Sequence, residues 1–281
     1  AWKIIHFPLQ AALRRESEDS FLRRRLDGYP EARMIEEHVP RGGRVLAMTS
    51  IAESHTSREI LVAFQAAFNQ LLMDTINTGW NDSFRPKLAM VFQFPERTLR
   101  RIRISQTAQG RPHTQWNVHE VRYLRGDVEL LRSPQWRLRA WPNSWDVQLA
   151  FDNSPATRWR SWEVPAPGMY IETDFGVDQR VDQVAVETSE DGVSSATTMQ
   201  IEMMDGNGRW VKLAGDPQMR ELRVPVWLRR SASYELHARG VNYMLVHDND
   251  FGAGDYLDDP GSWGFEIIAR TGNATLYKVA P

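Results

Sequence analysis

The chain has 281 residues, 42% hydrophobic and 25% charged, which is ample for a sizeable core and longer than a minimal domain requires. With 34 basic residues against 36 acidic ones the formal charge is −2, so no whole-chain field draws it to nucleic acid. The absence of cysteine excludes disulfides, thiolate catalysis and cysteine-built zinc sites together, and the seven histidines fall at no metal-ligand spacing.

No stretch approaches the ~20 consecutive apolar residues of a membrane helix, and no charged-then-apolar leader is present. The first residue is Ala1 and not Met, so the sequence reads as a processed chain or an excised piece of something longer. Ser17 is placed to cap a helix reaching Leu26, with Gly28 available to end it. Its basic run Arg23–Arg25 reads as a solvated helix face. Pro30 suits the first turn of a second short helix, which runs to His38 before Pro40 stops it. After Gly42-Gly43 the apolar run at 44–48 reads as a buried strand. Thr56 and Glu59 have capping-box spacing, and Ile60, Leu61, Phe64, Ala67, Phe68, Leu71, Leu72 and Ile76 recur at three and four residues. That pattern predicts a long helix over 57–77 with one apolar stripe.

From Phe84 the texture becomes β-type. Short runs stand at 88–94, 99–104, 116–123, 136–140, 169–175, 181–187, 199–204 and 210–213, separated by turn chemistry such as Asp191-Gly192 and the Asp-Gly-Asn-Gly of 205–208. Runs of this length and spacing indicate an antiparallel β-sandwich or jelly roll. The basic stretch 97–103 reads as a strand edge. After Pro225 the sequence predicts a helix at 231–239 closed by Gly240, a strand at 243–247, and a hairpin of 265–269 with 275–279 through Thr271-Gly272-Asn273. The two ends of the chain then form one small α/β domain, residues 1–83 and 226–281, with a sandwich over 84–225 inserted in it. The strands at 44–48 and 243–247 are expected to share a sheet, with helix 57–77 packed on it.

The segment 150–162 (Ala-Phe-Asp-Asn-Ser-Pro-Ala-Thr-Arg-Trp-Arg-Ser-Trp), then Gly168-Met-Tyr-Ile-Glu-Thr-Asp-Phe-Gly176 and Val181-Asp-Gln-Val184, resembles the discoidin family. These are the galactose-binding-like C-type modules also found in coagulation factors and many sugar-binding domains. The family's late Trp-x-x-x-Glu strand is present as Trp116-Asn-Val-His-Glu120, but it precedes the Asp-Asn loop. The resemblance implies a circularly permuted sandwich; two abbreviated sandwiches in tandem are the alternative. Asp152, Thr157, Glu120 and neighbouring carbonyls could surround a hard cation, and calcium takes six to eight oxygens. In many modules of this kind the matching loop holds a structural Ca²⁺. Otherwise Asp152 caps a turn and Thr157 bonds locally.

Indole faces either stack on sugar rings or fill a core. Trp159 sits at the family's core-facing Thr-x-Trp position. Trp141, Trp145 and Trp162 stand in loop-like sequence and are the candidate ligand face, with Arg158 and Arg160 as donors to hydroxyls or anions unless they are plain solvated surface. The acidic stretch 248–259 fails the EF-hand pattern and reads as a solvated loop. Gly-x-Ser-x-Gly and Gly-rich phosphate loops are absent, so no catalytic residue is assigned.

The flanks carry a second resemblance, in Ser20-Phe-Leu-Arg-Arg-Arg-Leu-Asp-Gly-Tyr-Pro, Ile35-Glu-Glu-His-Val-Pro, Ala238-Arg-Gly-Val-Asn-Tyr-Met-Leu-Val and Leu276-Tyr-Lys-Val. They look like the soluble tail of bacterial membrane glycosyltransferases that use polyprenyl-phosphate sugars, of the protein-mannosyltransferase type. This implies an extracytoplasmic, periplasmic accessory domain without chemistry of its own, partnered by a membrane-embedded catalytic domain and binding a glycan weakly. The alternative function is a secreted scaffold or adhesion module that binds protein or lipid headgroups.

Overall fold

The computed structural model describes residues 15–84, 87–189 and 198–281, so the expected turn at Asp191-Gly192 lies outside the described residues. The helices are α1 (Glu18–Arg25), α2 (Tyr29–His38), α3 (Ala67–Asn81), α4 (Leu228–Ala238), α5 (Ala253–Asp258) and α6 (Pro260–Trp263). The strands are β1 (Arg44–Ala47), β2 (Glu59–Val62), β3 (Lys87–Gln106), β4 (Asn117–Val118), β5 (Glu120–Arg125), β6 (Val128–Glu129), β7 (Arg137–Trp141), β8 (Trp159–Arg160), β9 (Tyr170–Ser189), β10 (Met199–Met204), β11 (Trp210–Ala214), β12 (Gln218–Leu222), β13 (Tyr243–His247), β14 (Phe265–Thr271) and β15 (Ala274–Val279). They gather into two compact units, Ala1–Asn77 with Ser233–Pro281, and Thr78–Ala232.

The first unit holds a five-stranded sheet in the order β14-β15-β13-β1-β2, with β13, β1 and β2 parallel, β15 antiparallel to β13, and β14 antiparallel to β15. Val45, Leu46 and Ala47 of β1 and Met244 and Leu245 of β13 are fully buried, the continuous apolar texture of central parallel strands. Ser17 caps α1 by accepting the Ser20 amide at 3.2 Å. Gly28 does not end that helix, which closes at Leu26. It opens α2 instead, at φ 75°, and a Cβ there would lie 2.8 Å from the Ile51 Cα. Left-handed backbone and close approach both demand glycine at this point. Pro30 takes the first turn of α2.

The helix expected over 57–77 forms only from Ala67. Thr56 is no cap: its hydroxyl donates to Glu36 at 2.9 Å, and the Ser57 amide donates to the same carboxylate at 2.6 Å. Residues 59–62 run as β2, parallel to β1 from Arg44↔Glu59 to Ala47↔Val62. Four residues of Glu-Ile-Leu-Val suit either period, and the β1 edge offers a backbone ladder plus burial for Leu61 and Val62. Phe64 and Phe68, counted in the helical stripe, are exposed as a result. The Asn69 side chain donates to the Val62 carbonyl at 2.8 Å and ties the first turn of α3 to the strand end. In the acidic stretch, Asp250 accepts the His247 amide, Asp255 the Trp263 indole, and Asp259 caps α6.

The second unit is built on one antiparallel ribbon. Four of the expected runs merge into β3 and β9, each 20 residues long. Their register slips between Gln93 and Arg97 and again between Leu99 and Arg101, so the ribbon bends there. One half of the ribbon carries β12 on one side and β5 with β6 on the other; the other half carries β10 with β11 and β7. Met90 and Phe92 from the first half and Ile102, Ile104, Ile171 and Ile201 from the second share one buried cluster. This is an antiparallel sandwich, and the molecule as a whole is mixed α+β. The alternation of Ile102 and Ile104 with Arg101 and Arg103 now has its reason. The isoleucines face the core, while Arg101 meets Glu172 at 2.5 Å and Arg103 meets Glu202 at 2.6 Å across the strands.

Candidate functional site

Trp116 and Trp159 sit fully buried in an edge-to-face pair with centroids 5.2 Å apart. Trp159 is core, as its sequence position implies. Trp145, Trp141 and Trp162 are instead 80%, 59% and 37% exposed. Two structural devices hold them out. Asn143, itself buried, accepts the Trp159 indole N–H on its carbonyl at 2.6 Å and donates to the Arg160 carbonyl and to Asp146, each at 3.0 Å. The loop 141–146 is thereby laced to the strand leading to Trp162. Buried Ser161 exchanges hydrogen bonds with the Trp116 backbone, 2.9 Å and 3.0 Å, and its hydroxyl donates to the Glu163 carbonyl at 2.5 Å. The turn so fixed puts Trp162 at φ 58°, a left-handed conformation that a bulky aromatic rarely adopts.

The Arg160 guanidinium lies 4.5 Å from the centroid of the Trp162 ring, a cation–π contact worth about 0.5–1 kcal/mol at an exposed position. Arg158 is placed differently. Its charge acts on Asp82, Lys87 and His119, so it belongs with the buried groups described next. Tyr170, half-buried on β9, is paired in register with Trp141 and is not among the residues the sequence singles out.

Asp152, Thr157 and Glu120 do come together. Both Asp152 carboxylate oxygens accept the Thr157 hydroxyl at 2.9 Å, one also accepts the Ser154 amide at 3.0 Å, and Glu120 accepts the Asn153 amide at 2.8 Å. Behind this loop lies a group of charges that sequence reasoning missed. Lys87, only 4% exposed, donates to the Pro155 carbonyl at 2.5 Å, and its Nζ stands 3.5 Å from His119 Nδ1. His119 Nδ1 is 3.2 Å from the Thr157 carbonyl, and its Nε2 is 3.1 Å from Asp82. A cleft of about 170 Å³ opens beside them, lined by Lys87, His119, Glu120, Arg122, Asn153 and Glu187 among others.

Burial pushes the Glu120 carboxyl up to about 8, against the pull of Arg122 and the Asn153 amide. Burial, reinforced by the Lys87 charge, lowers His119 to about 4. Burial also lowers Lys87, opposed by Asp82, Glu187 and Glu120. For Asp82 burial acts upward, but the His119 hydrogen bond and the charges of His119, Arg158 and Lys87 outweigh it and the carboxyl stays low. Among the described residues no group of three or more histidine or carboxylate side chains is arranged to hold a metal ion.

A family model, the F5/8 type C domain, matches residues 133–229, the stretch that supplies β7 to β12. Domains of this family commonly bind carbohydrates or lipids. The strands β3 to β6 lie outside the match and complete the same sandwich. No curated protein and no solved structure matches the chain.

Proposed function

We propose that the sandwich is a non-catalytic carbohydrate-recognition module whose binding face is formed by Trp141, Trp145 and Trp162 with Arg160. The observation that carries this reading is the sorting of the indoles. Those in the Trp-Pro-Asn-Ser-Trp and Arg-Ser-Trp loops are held out by buried polar anchors, one of them on left-handed backbone, while Trp116 and Trp159 fill the core. Flat aromatic faces offer stacking to the C–H face of a sugar ring at little entropic cost, and Arg160 adds hydroxyl-directed donors. Such a shallow face supports weak affinity, around millimolar, or about −4 kcal/mol.

The same indoles suit a lipid–water interface, so the test has two arms. Glycan-array screening followed by NMR titration is expected to move the three indole N–H resonances; co-sedimentation with phosphatidylcholine and phosphatidylserine vesicles is expected to show no retention. Vesicle binding without any glycan response would replace the sugar by a lipid headgroup. No response in either arm would leave an accessory structural role.

The flanking segments support placing this module in the exported C-terminal region of a polyprenyl-phosphate-sugar-dependent glycosyltransferase, where weak binding tethered near a catalytic domain raises effective concentration without trapping product. The gene's upstream sequence tests that placement. A series of membrane helices before Ala1 agrees with it, whereas a lone signal peptide would favour a secreted scaffold or adhesion module.

A further inference from the structure

We propose that the Lys87 ammonium is the built-in cation of the Asp152–Thr157 loop, held where a structural calcium ion would otherwise sit. The inference is independent of the glycan reading and rests on how the loop's oxygens are used. The Pro155 carbonyl, which turns inward from the loop, is taken by Lys87 Nζ at 2.5 Å. The next inward carbonyl, that of Thr157, faces His119 Nδ1 at 3.2 Å, and this nitrogen is itself 3.5 Å from Nζ. The Thr157 hydroxyl is spent on Asp152, and Glu120 accepts the Asn153 amide.

Calcium takes six to eight oxygens at about 2.3–2.6 Å; an ammonium needs only three acceptors. A loop that gives one inward carbonyl to Lys87 and the next to an imidazole suits the smaller requirement. Lys87 is also placed to stay there. It begins β3, its backbone pairs with Ser189 of β9 and Leu222 of β12, and its side chain is buried, with the charges of Asp82 and Glu187 favouring the protonated amine. A divalent ion entering the loop would meet that positive charge at short range in a poorly solvated interior, and repulsion there is strong.

The test uses the full chain. Thermal unfolding of the wild-type protein is expected to be the same in EDTA and in millimolar calcium chloride. Lys87→Met, which fills the space without the charge, is expected to lower Tm by roughly 5 °C or more with no calcium response. Lys87→Ala, which empties the position, is expected to lower Tm similarly and to recover part of the loss with calcium, reversibly in EDTA. A wild-type Tm that rises with calcium and falls with EDTA would overturn the proposal. So would a Lys87→Met protein as stable as the wild type, or a folded Lys87→Ala protein blind to calcium. Should neither variant fold, calorimetric titration of calcium into the wild type decides, heat of binding being the overturning result.

Discussion

Glu120 and His119 are adjacent, both buried, and pull the pH dependence of stability in opposite directions. Glu120 is raised from its usual 4.5 to about 8, so between those values the folded protein keeps a proton that the unfolded chain releases. Its contribution to stability is therefore present at low pH and lost as pH rises toward 8. His119 is lowered from 6.5 to about 4, so its contribution is present above 6.5 and lost as pH falls toward 4. Between pH 6.5 and 8 Glu120 acts without its neighbour, with a slope of at most about 1.4 kcal/mol per pH unit. The urea midpoint of the wild type is expected to fall across this window by more than that of Glu120→Gln, which keeps an acceptor for the Asn153 amide. Equal slopes in the two proteins would mean that Glu120 is already ionised in the fold. The tryptophans give a second contrast at this scale. Trp159→Ala removes a fully buried indole and is expected to cost about 3–5 kcal/mol, whereas Trp145→Ala, at a surface position, should stay within about 0.5 kcal/mol and weaken only glycan binding. Equilibrium denaturation of both variants beside NMR titration checks the split. Those exposed indoles were legible in the sequence because Pro, Asn and Ser around them are turn chemistry. Lys87, Asp82 and His119 were not. A lysine at the head of a strand reads as a solvated edge until distant segments close over it.

At the level of elements, sequence pattern served best where one periodicity had no rival. The Ser17 cap, the Pro30 first turn, the strand at 243–247 and the terminal hairpin all follow from short-range chemistry and are found at those positions. Residues 57–66 failed for a specific reason: Thr56 and Glu59 have capping-box spacing, but Glu36, twenty residues earlier, captures the Thr56 hydroxyl and the Ser57 amide. Nothing local reveals such a competitor. The long ribbon was misread as four strands because Pro95 and Gly176 break the alternation, and the ladder runs past both as bulges. Gly176 is the sharper case. It sits at φ 80°, and a Cβ there would lie 3.2 Å from the Gln135 carbonyl oxygen. Gly176→Ala must therefore strain the bend or displace the 135 segment, at an expected cost of about 1–2 kcal/mol. Chemical denaturation measures it, and an unchanged midpoint would show that the bend tolerates a side chain.

For the molecule as a whole, the two units differ in how their cores are assembled from the chain. The sandwich core is continuous in sequence: every residue of its main buried cluster, from Met90 to Ile201, falls within 78–232. The other unit is divided. Val45 and Ala47 of β1 pack with Tyr243, Leu245, Ala274 and Leu276, which the chain supplies about 200 to 230 residues later, and β1 has β13 as one of its two neighbours in the sheet. A segment that carries its whole core should fold when excised, and one that carries half should not. The fragment 78–232 is accordingly expected to unfold cooperatively in urea and to keep a near-ultraviolet circular dichroism signal from the Trp116–Trp159 pair, whose rings are locked edge to face. The fragment 1–77 contains β1 and β2 without β13, β14 or β15 and is expected to lack a cooperative transition. If glycan recognition belongs to the sandwich alone, the excised fragment must also retain the full chain's affinity, because Trp141, Trp145, Trp162 and Arg160 all lie inside it. A fragment that folds by both spectroscopic criteria but loses glycan binding would assign part of the binding face to residues outside 78–232.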